Sequence, residues 1–271
     1  MEHSNCGDAE APNVPPGVKY GGSKPQVFGN RAMRPEEKFE FARVVFFGRG
    51  LGEYVDMFNL DLNGLKGQRV LDCAGGPAAF AKEAAQAGIE VVACDPMYAE
   101  TADKLRHVVD SDAAAVTVKQ QANPQTLHTN YVSTSERRKS MEIFLQDFAA
   151  APRGRYVSGR LPTLPFDDNS FDFALSANLL FIYSDIASGG MLESSPLDLE
   201  FHLRSTTELL RIARKELRLY PLQGANAKGH AYLAPLMDEC TAQGHLASVV
   251  PVRQRDLVGA ESMLRIVKRA L

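Results

Sequence analysis

Between Gln68 and Asp95 the chain reads as a buried strand, a turn of small residues, a helix and a second buried strand. This unit constrains the fold more than any other segment. Arg69-Val70-Leu71-Asp72-Cys73 is short and mostly apolar, Pro77 to Ala87 is alanine-rich with Gly88 placed to end a helix, and Glu90-Val91-Val92-Ala93-Cys94 is apolar again. Two strands joined by a helix within about 30 residues form a βαβ unit, and so a parallel pair. The alternation resumes downstream. Arg155–Ser158 and Phe171–Ser176 read as strands, and Ser195, Pro196 and Asp198 start a helix. A strand at Glu216–Tyr220, a helix at Ala231–Gln243, and strands at His245–Val252 and Ser262–Lys268 follow. The pattern predicts an α/β fold with a doubly wound, mostly parallel seven-stranded sheet and helices on both faces.

Two stretches fall outside the alternation. Residues 1–65 read as an N-terminal arm and helical cap, and residues 66–271 as the ligand-binding domain. Pro12, Pro15, Pro16, Gly17, Gly21, Gly22 and Pro25 break any regular period, so the arm reads either as a disordered tail or, over Lys19 to Asn30 with Tyr20, as a lid that folds over a ligand. Pro35, Glu36 and Glu37 suit a first helical turn, Phe39, Ala42, Val45 and Phe46 recur at helical spacing, and Gly48, Gly50 and Gly52 end the run. Glu53 to Leu60 predicts a second short helix. After a helix over residues 99–110, residues 111–153 read as an insertion, in which Ser133 and Glu136 form a capping box for a helix to about Phe148.

Composition narrows the function classes. Thirty Lys+Arg against 33 Asp+Glu give a net charge of −3, which offers no general field for nucleic acid or an anionic membrane. No apolar run approaches the length of a membrane span. The polar, acidic start is not a secretory signal, and Cys6, Cys73, Cys94 and Cys240 are too scattered for a disulfide framework or a cysteine metal site. The expectation is a cytoplasmic protein with no metal, no nucleic-acid partner and no membrane partner.

The chemistry lies at the strand ends. Ala74-Gly75-Gly76-Pro77-Ala78 lets a ligand approach the backbone closely and opens onto the free N–H groups of a helix start. Asp95 ends the second strand 23 residues after Asp72, where an acid can accept hydrogen bonds from a ribose diol. A nicotinamide dinucleotide would favour three glycines, but Ala74 takes the first position and Ala79 the third. Asp72 is unfavourable beside a pyrophosphate and favourable beside an ammonium. That contrast tilts the reading to S-adenosylmethionine, with a nucleotide-dependent oxidoreductase as a lesser alternative.

Here the chain resembles the class I S-adenosylmethionine-dependent methyltransferases over roughly residues 66–271. Val70-Leu71-Asp72-Cys73-Ala74-Gly75-Gly76 is similar to their first motif, and Cys94-Asp95-Pro96-Met97 to their ribose-binding acid. Leu164-Pro165-Phe166-Asp167-Asp168-Asn169-Ser170-Phe171-Asp172 is similar to the segment leading into their fourth strand. The resemblance implies donor contacts from Asp72, Ala74, Gly75, Gly76, Asp95, Pro96, Met97, Arg160, Leu161, Ser176 and Ala177, with S-adenosylhomocysteine as product. Arg160 stands where relatives often place an Asp on the adenine amino group, so adenine would rest on backbone and apolar contacts. There is no Asn-Pro-Pro-Tyr after the fourth strand, unlike enzymes that methylate adenine in DNA.

Transfer from a sulfonium is an in-line displacement, in which the protein aligns the partners and excludes water. Tyr183 and His202 are the candidate catalytic residues, and Tyr20 the candidate acceptor cover. Arg137-Arg138-Lys139 reads either as a solvated helix face or as an anchor for an acidic substrate group. The expected function is methyl transfer to O, S or N of a small organic acceptor. The alternative is a catalytically inactive S-adenosylmethionine-binding or regulatory protein of the same fold.

Overall fold

A computed structural model of the chain describes residues 39–150, 154–224, 229–253 and 256–269. Tyr20 and the predicted helix start at Pro35 lie outside them. Among the described residues are seven strands, β1 (Arg69–Cys73), β2 (Glu90–Cys94), β3 (Tyr156–Val157), β4 (Phe171–Ala177), β5 (Ala213–Tyr220), β6 (Leu246–Pro251) and β7 (Ser262–Val267). The helices are α1 (Leu51–Phe58), α2 (Phe80–Gln86), α3 (Ala102–Ala122), α4 (Thr134–Ala150), α5 (Leu199–Ile212) and α6 (Leu233–Ala242).

One seven-stranded sheet runs in the order β3-β2-β1-β4-β5-β7-β6. The pairs from β3 to β5 are parallel, and β7 lies antiparallel between β5 and β6. The chain therefore winds outward from β1 to β3 and returns to β4 beside β1. The loops after β1 and β4 leave in opposite directions, which opens a crevice at the carboxyl ends of the strands.

Side-chain alternation explains why both faces are covered. Val70, Val91 and Ala93 enter one core cluster, with Tyr54, Met57 and Phe58 of α1, Phe80 of α2 and residues of α3 and α4. Leu71, Cys73, Val92 and Cys94 enter the other, with Leu209 and Leu210 of α5 and Leu236 and Cys240 of α6. A period of two with apolar residues on both sides is what a parallel strand buried on both faces requires.

Two elements differ from expectation. α3 continues to Ala122 as a single helix of 21 residues, so residues 111–122 do not begin an insertion. Within the longer helix Asp112 is buried and accepts the Phe46 N–H at 2.7 Å and Arg43 Nη1–H at 3.0 Å. α4 begins where the capping box places it, with Ser133 N–H donating to Glu136 at 3.0 Å and Glu136 N–H to Ser133 Oγ at 3.3 Å.

The second difference is larger. Residues 39–50 form no helix; they run as a strap whose backbone is tied to neighbours through both N–H and carbonyl groups. Phe41 N–H donates to Met191 O at 2.9 Å, Phe46 N–H goes to Asp112, and Ala79 N–H donates to Arg49 O at 3.0 Å. Gly48 is what lets the strap lie on the start of α2, because a Cβ there would stand 1.9 Å from Pro77 O. Gly48→Val is therefore expected to cost about 1–3 kcal/mol, the usual range for overpacking. A denaturant midpoint unchanged from the wild type would show that the strap does not seat there. The strap and α1 share a core cluster with residues of the sheet.

Candidate functional site

The crevice holds a cavity of about 880 Å³. Its walls come from the turn after β1, the ends of β2 to β5, the strap, α3 and residues 256–260. Of the predicted contact residues, Ala74, Gly75, Gly76, Asp95, Pro96, Met97, Arg160, Leu161 and Ala177 line it.

The turn after β1 is held by a small network. Tyr98 Oη donates to Gly76 O at 2.6 Å, and Gly75 N–H donates to Cys94 O at 3.0 Å. Gly75 has no room for a side chain: a Cβ would meet Tyr98 Oη at 2.7 Å and the Ala93 Cβ at 3.0 Å. Gly76 differs. Its φ is +52°, which favours glycine, yet the space beside it is open, with Phe47 O the nearest atom at 3.9 Å. The constraint at Gly76 is thus conformational, and the space beside it is open.

Asp95 ties the turn to the next strand end. Its Oδ2 accepts the Gly76 N–H at 3.1 Å and its Oδ1 accepts the Met97 N–H at 2.9 Å, capping a short 3-10 turn at Pro96–Ala99. Burial raises its pKa, opposed by those two hydrogen bonds and by the Arg160 charge. Each carboxylate oxygen can accept more than one hydrogen bond, so acceptor capacity remains toward the cavity.

Asp72 and Ser176 take other positions. Neither is among the residues lining the cavity. Asp72 lies below the turn, where Tyr54 Oη donates to its two oxygens at 3.1 and 3.0 Å and Tyr54 stacks on Phe80 at 4.1 Å. Burial pushes its carboxyl up to about 8, against the Tyr54 hydrogen bond and with help from Asp95. Its hydrogen-bond partner Tyr54 does line the cavity. Ser176 is buried in β4.

The two catalytic candidates separate. Tyr183 lines the cavity, and burial pushes its hydroxyl up to about 12, so it stays protonated and serves as a donor. His202 does not line the cavity. It is fully buried, its Nε2 accepts the Phe181 N–H at 2.8 Å, and its Nδ1 donates to Asp198 O at 2.7 Å. With both nitrogens engaged and its pKa lowered by burial, it cannot act as a base on a ligand. What it holds is the loop after β4, where Phe181 sits at φ +65°. That conformation is costly for a side chain as large as Phe. It sends Leu179, Ile182 and Tyr183 to the cavity wall.

Beside His202 lies His230, whose Nε2 is 2.5 Å from Ser184 Oγ and whose Nδ1 accepts the Tyr232 N–H at 3.1 Å. Ser184 Oγ already donates to Phe181 O at 2.8 Å, so His230 supplies the proton to Ser184 and the ring is neutral. Burial and the neighbouring His202 lower its pKa to about 4. An unfolded histidine protonates below about pH 6.5, so the fold loses stability as pH falls from that value toward 4, by about 3 kcal/mol at most. His230→Gln should flatten this part of the stability profile in denaturant titrations at pH 7 and pH 4.5. An equal slope in both proteins would remove His230 as the cause.

Sequence reasoning missed the strap, Tyr54, Gln120 and the charged cluster around Asp256. Arg137 lies in that cluster, buried, with Nη2 at 2.6 Å from Glu53 Oε1 and paired also with Asp256; Arg49 Nη2 is 3.0 Å from Asp256 Oδ2. The Arg137-Arg138-Lys139 run is thus neither a solvated face nor an open anchor throughout. Helical geometry turns Arg137 inward and leaves Arg138 outside, 2.8 Å from Asp110.

No family model matches the chain, and no curated protein matches it. Among solved structures, it is similar to magnesium protoporphyrin IX methyltransferase from Synechocystis PCC 6803 with bound SAM, at 14% identity over 76% of this chain and 73% of that one, TM-score 0.42. A SAM-dependent methyltransferase from Aquifex aeolicus matches at 14% identity over 79% and 92%, TM-score 0.36. One from Methanosarcina mazei matches at 14% over 75% and 93%, TM-score 0.37. Likeness of this degree is too slight to carry the fold or the activity. The fold rests on the strand order, and the activity on the site.

Proposed function

We propose that this chain is an S-adenosylmethionine-dependent methyltransferase acting on a small-molecule acceptor. The observation that carries the reading is the convergence, at the switch point between β1 and β4, of the Gly75-Gly76 turn, the Asp95 carboxylate and Leu161 on one cavity. The residues fit such a donor. Asp95 has acceptor capacity left for ribose hydroxyls. Met97 and Leu161 offer apolar surface for adenine. The open side of Gly76 admits a chain against the backbone.

When bound, the donor supplies a methyl carbon on a positively charged sulfur. The protein's part is to bind, align and dry the reacting groups. The strap covers the turn, with Phe47 O close to Gly76, and Tyr183 offers a protonated hydroxyl to orient an acceptor. Among the described residues, the carboxylates lining the cavity are Asp95, which accepts the Gly76 and Met97 N–H groups, and Asp256, which faces Arg49 and Arg137, so an acceptor that reacts through its own lone pair suits this wall. The small-molecule part draws support from the −3 charge, which does not neutralise phosphates, and from the enclosure of the cavity by the strap.

Radiolabelled donor incubated with the protein and separate metabolite, tRNA, DNA and bulk-protein fractions tests the reading. Label in the metabolite fraction is expected. Label chiefly in a macromolecular fraction would overturn the acceptor class and leave the donor site intact.

A further inference from the structure

The cavity does not end at the donor residues, and its far half is built differently. Val116, Leu127, Ile182, Met191, Leu197 and Leu257 line it, and Phe39 and Phe41 pack edge to face at 5.9 Å and 77° within its wall. At about 880 Å³ it lies near the top of the roughly 300–1,000 Å³ spanned by small-molecule sites, so a second molecule has room beside a donor.

Among the described residues, the arginines lining this half already face carboxylates. Arg43 is held by Asp112, with Nη1 to Oδ2 at 3.0 Å. Arg49 and Arg137 face Asp256 and Glu53, two cations against two anions. Among the described residues, a charged guest would give up its hydration to meet charges that already face partners of opposite sign, which is unfavourable. The neutral polar groups are few. Gln120 accepts the Thr134 hydroxyl at 2.7 Å through its carbonyl, so its amide NH₂ is a donor, and Tyr183 carries a protonated hydroxyl. Both orient a guest without requiring it to be charged.

We propose that the methyl acceptor is an uncharged, ring-bearing apolar molecule, seated against this half of the cavity. The inference rests on the methyltransferase reading and narrows its substrate class. Flat ring systems fit because aromatic walls meet guest rings in edge or offset contacts.

Three naphthalene probes of one ring size isolate charge: 2-naphthol, 2-naphthoate and 2-naphthylmethylammonium, each titrated calorimetrically at pH 7 into protein saturated with S-adenosylhomocysteine. The neutral probe is expected to bind about tenfold tighter than either ion. Met191→Lys is expected to shift the preference to 2-naphthoate. Should that variant not fold, Met191→Ala is expected to weaken 2-naphthol while leaving S-adenosylhomocysteine binding unchanged. Equal or tighter binding of a charged probe, or no 2-naphthol binding to protein that does bind S-adenosylhomocysteine, would overturn the proposal. Failure of S-adenosylhomocysteine itself to bind, with the probe order intact, would instead overturn the donor reading and uphold the apolar site.

Discussion

Arg137→Met is expected to destabilise the protein by about 3–5 kcal/mol, the range for removing one partner of a buried ion pair. Arg137 is only 3% exposed, and its Nε and Nη2 reach Glu53 Oε1 at 2.8 and 2.6 Å. It also holds Asp256, which keeps the Asp256 carboxyl below the ordinary range despite burial. Without it, the two carboxylates lose one described cation, with Arg49 still at 3.0 Å from Asp256 and 3.8 Å from Glu53. These residues join α1, α4 and the loop before β7, so the loss should also loosen the cavity wall. Urea denaturation of the two proteins measures it, and adding Glu53→Gln to the variant should recover part of the loss. A single-variant cost below about 1 kcal/mol would place the cluster among weak surface pairs.

The same residue shows what a sequence can and cannot reveal. Arg137, Arg138 and Lys139 are equivalent as letters, and only the phase of α4 against α1 decides which one is buried. The βαβ unit was legible because each of its signals is local: apolar strands, small residues in the turn, and Gly88 after the helix. Asp95 was legible for the same reason. The strap was not, because its backbone hydrogen bonds go to Met191, Asp112 and Ala79, all distant in sequence. Phe39, Val45 and Phe46 sit at helical spacing, yet their phase is set by what the extended chain touches. The helix expected to end at residue 110 runs on to Ala122, and Asp112 within it is buried against Arg43 and the Phe46 N–H. His202 looked like a base because histidine is a frequent one; its two hydrogen bonds, one to the Phe181 N–H and one to Asp198 O, are invisible before folding.

Asp95→Ala is expected to weaken donor binding by about 1.5–3 kcal/mol, as for hydrogen bonds to a charged group. Two effects combine. On the proposed donor reading the ribose hydroxyls lose an acceptor, and the Gly76 and Met97 N–H groups lose theirs, so the turn itself relaxes. Asp95→Asn separates them, because one carbonyl oxygen can serve only part of this set; an intermediate affinity is expected. The fold should persist in both variants, since Asp95 sits at the edge of the cavity and the core of β2 is unchanged.

Titration calorimetry of the wild type and Asp95→Ala with S-adenosylhomocysteine, and of the wild type with NAD, tests the donor site most directly. The expected result is saturable one-to-one binding of S-adenosylhomocysteine to the wild type, about 10- to 150-fold weaker binding to the variant, and no heat with NAD. An unchanged dissociation constant in folded Asp95→Ala, or binding of NAD in place of S-adenosylhomocysteine, would contradict it.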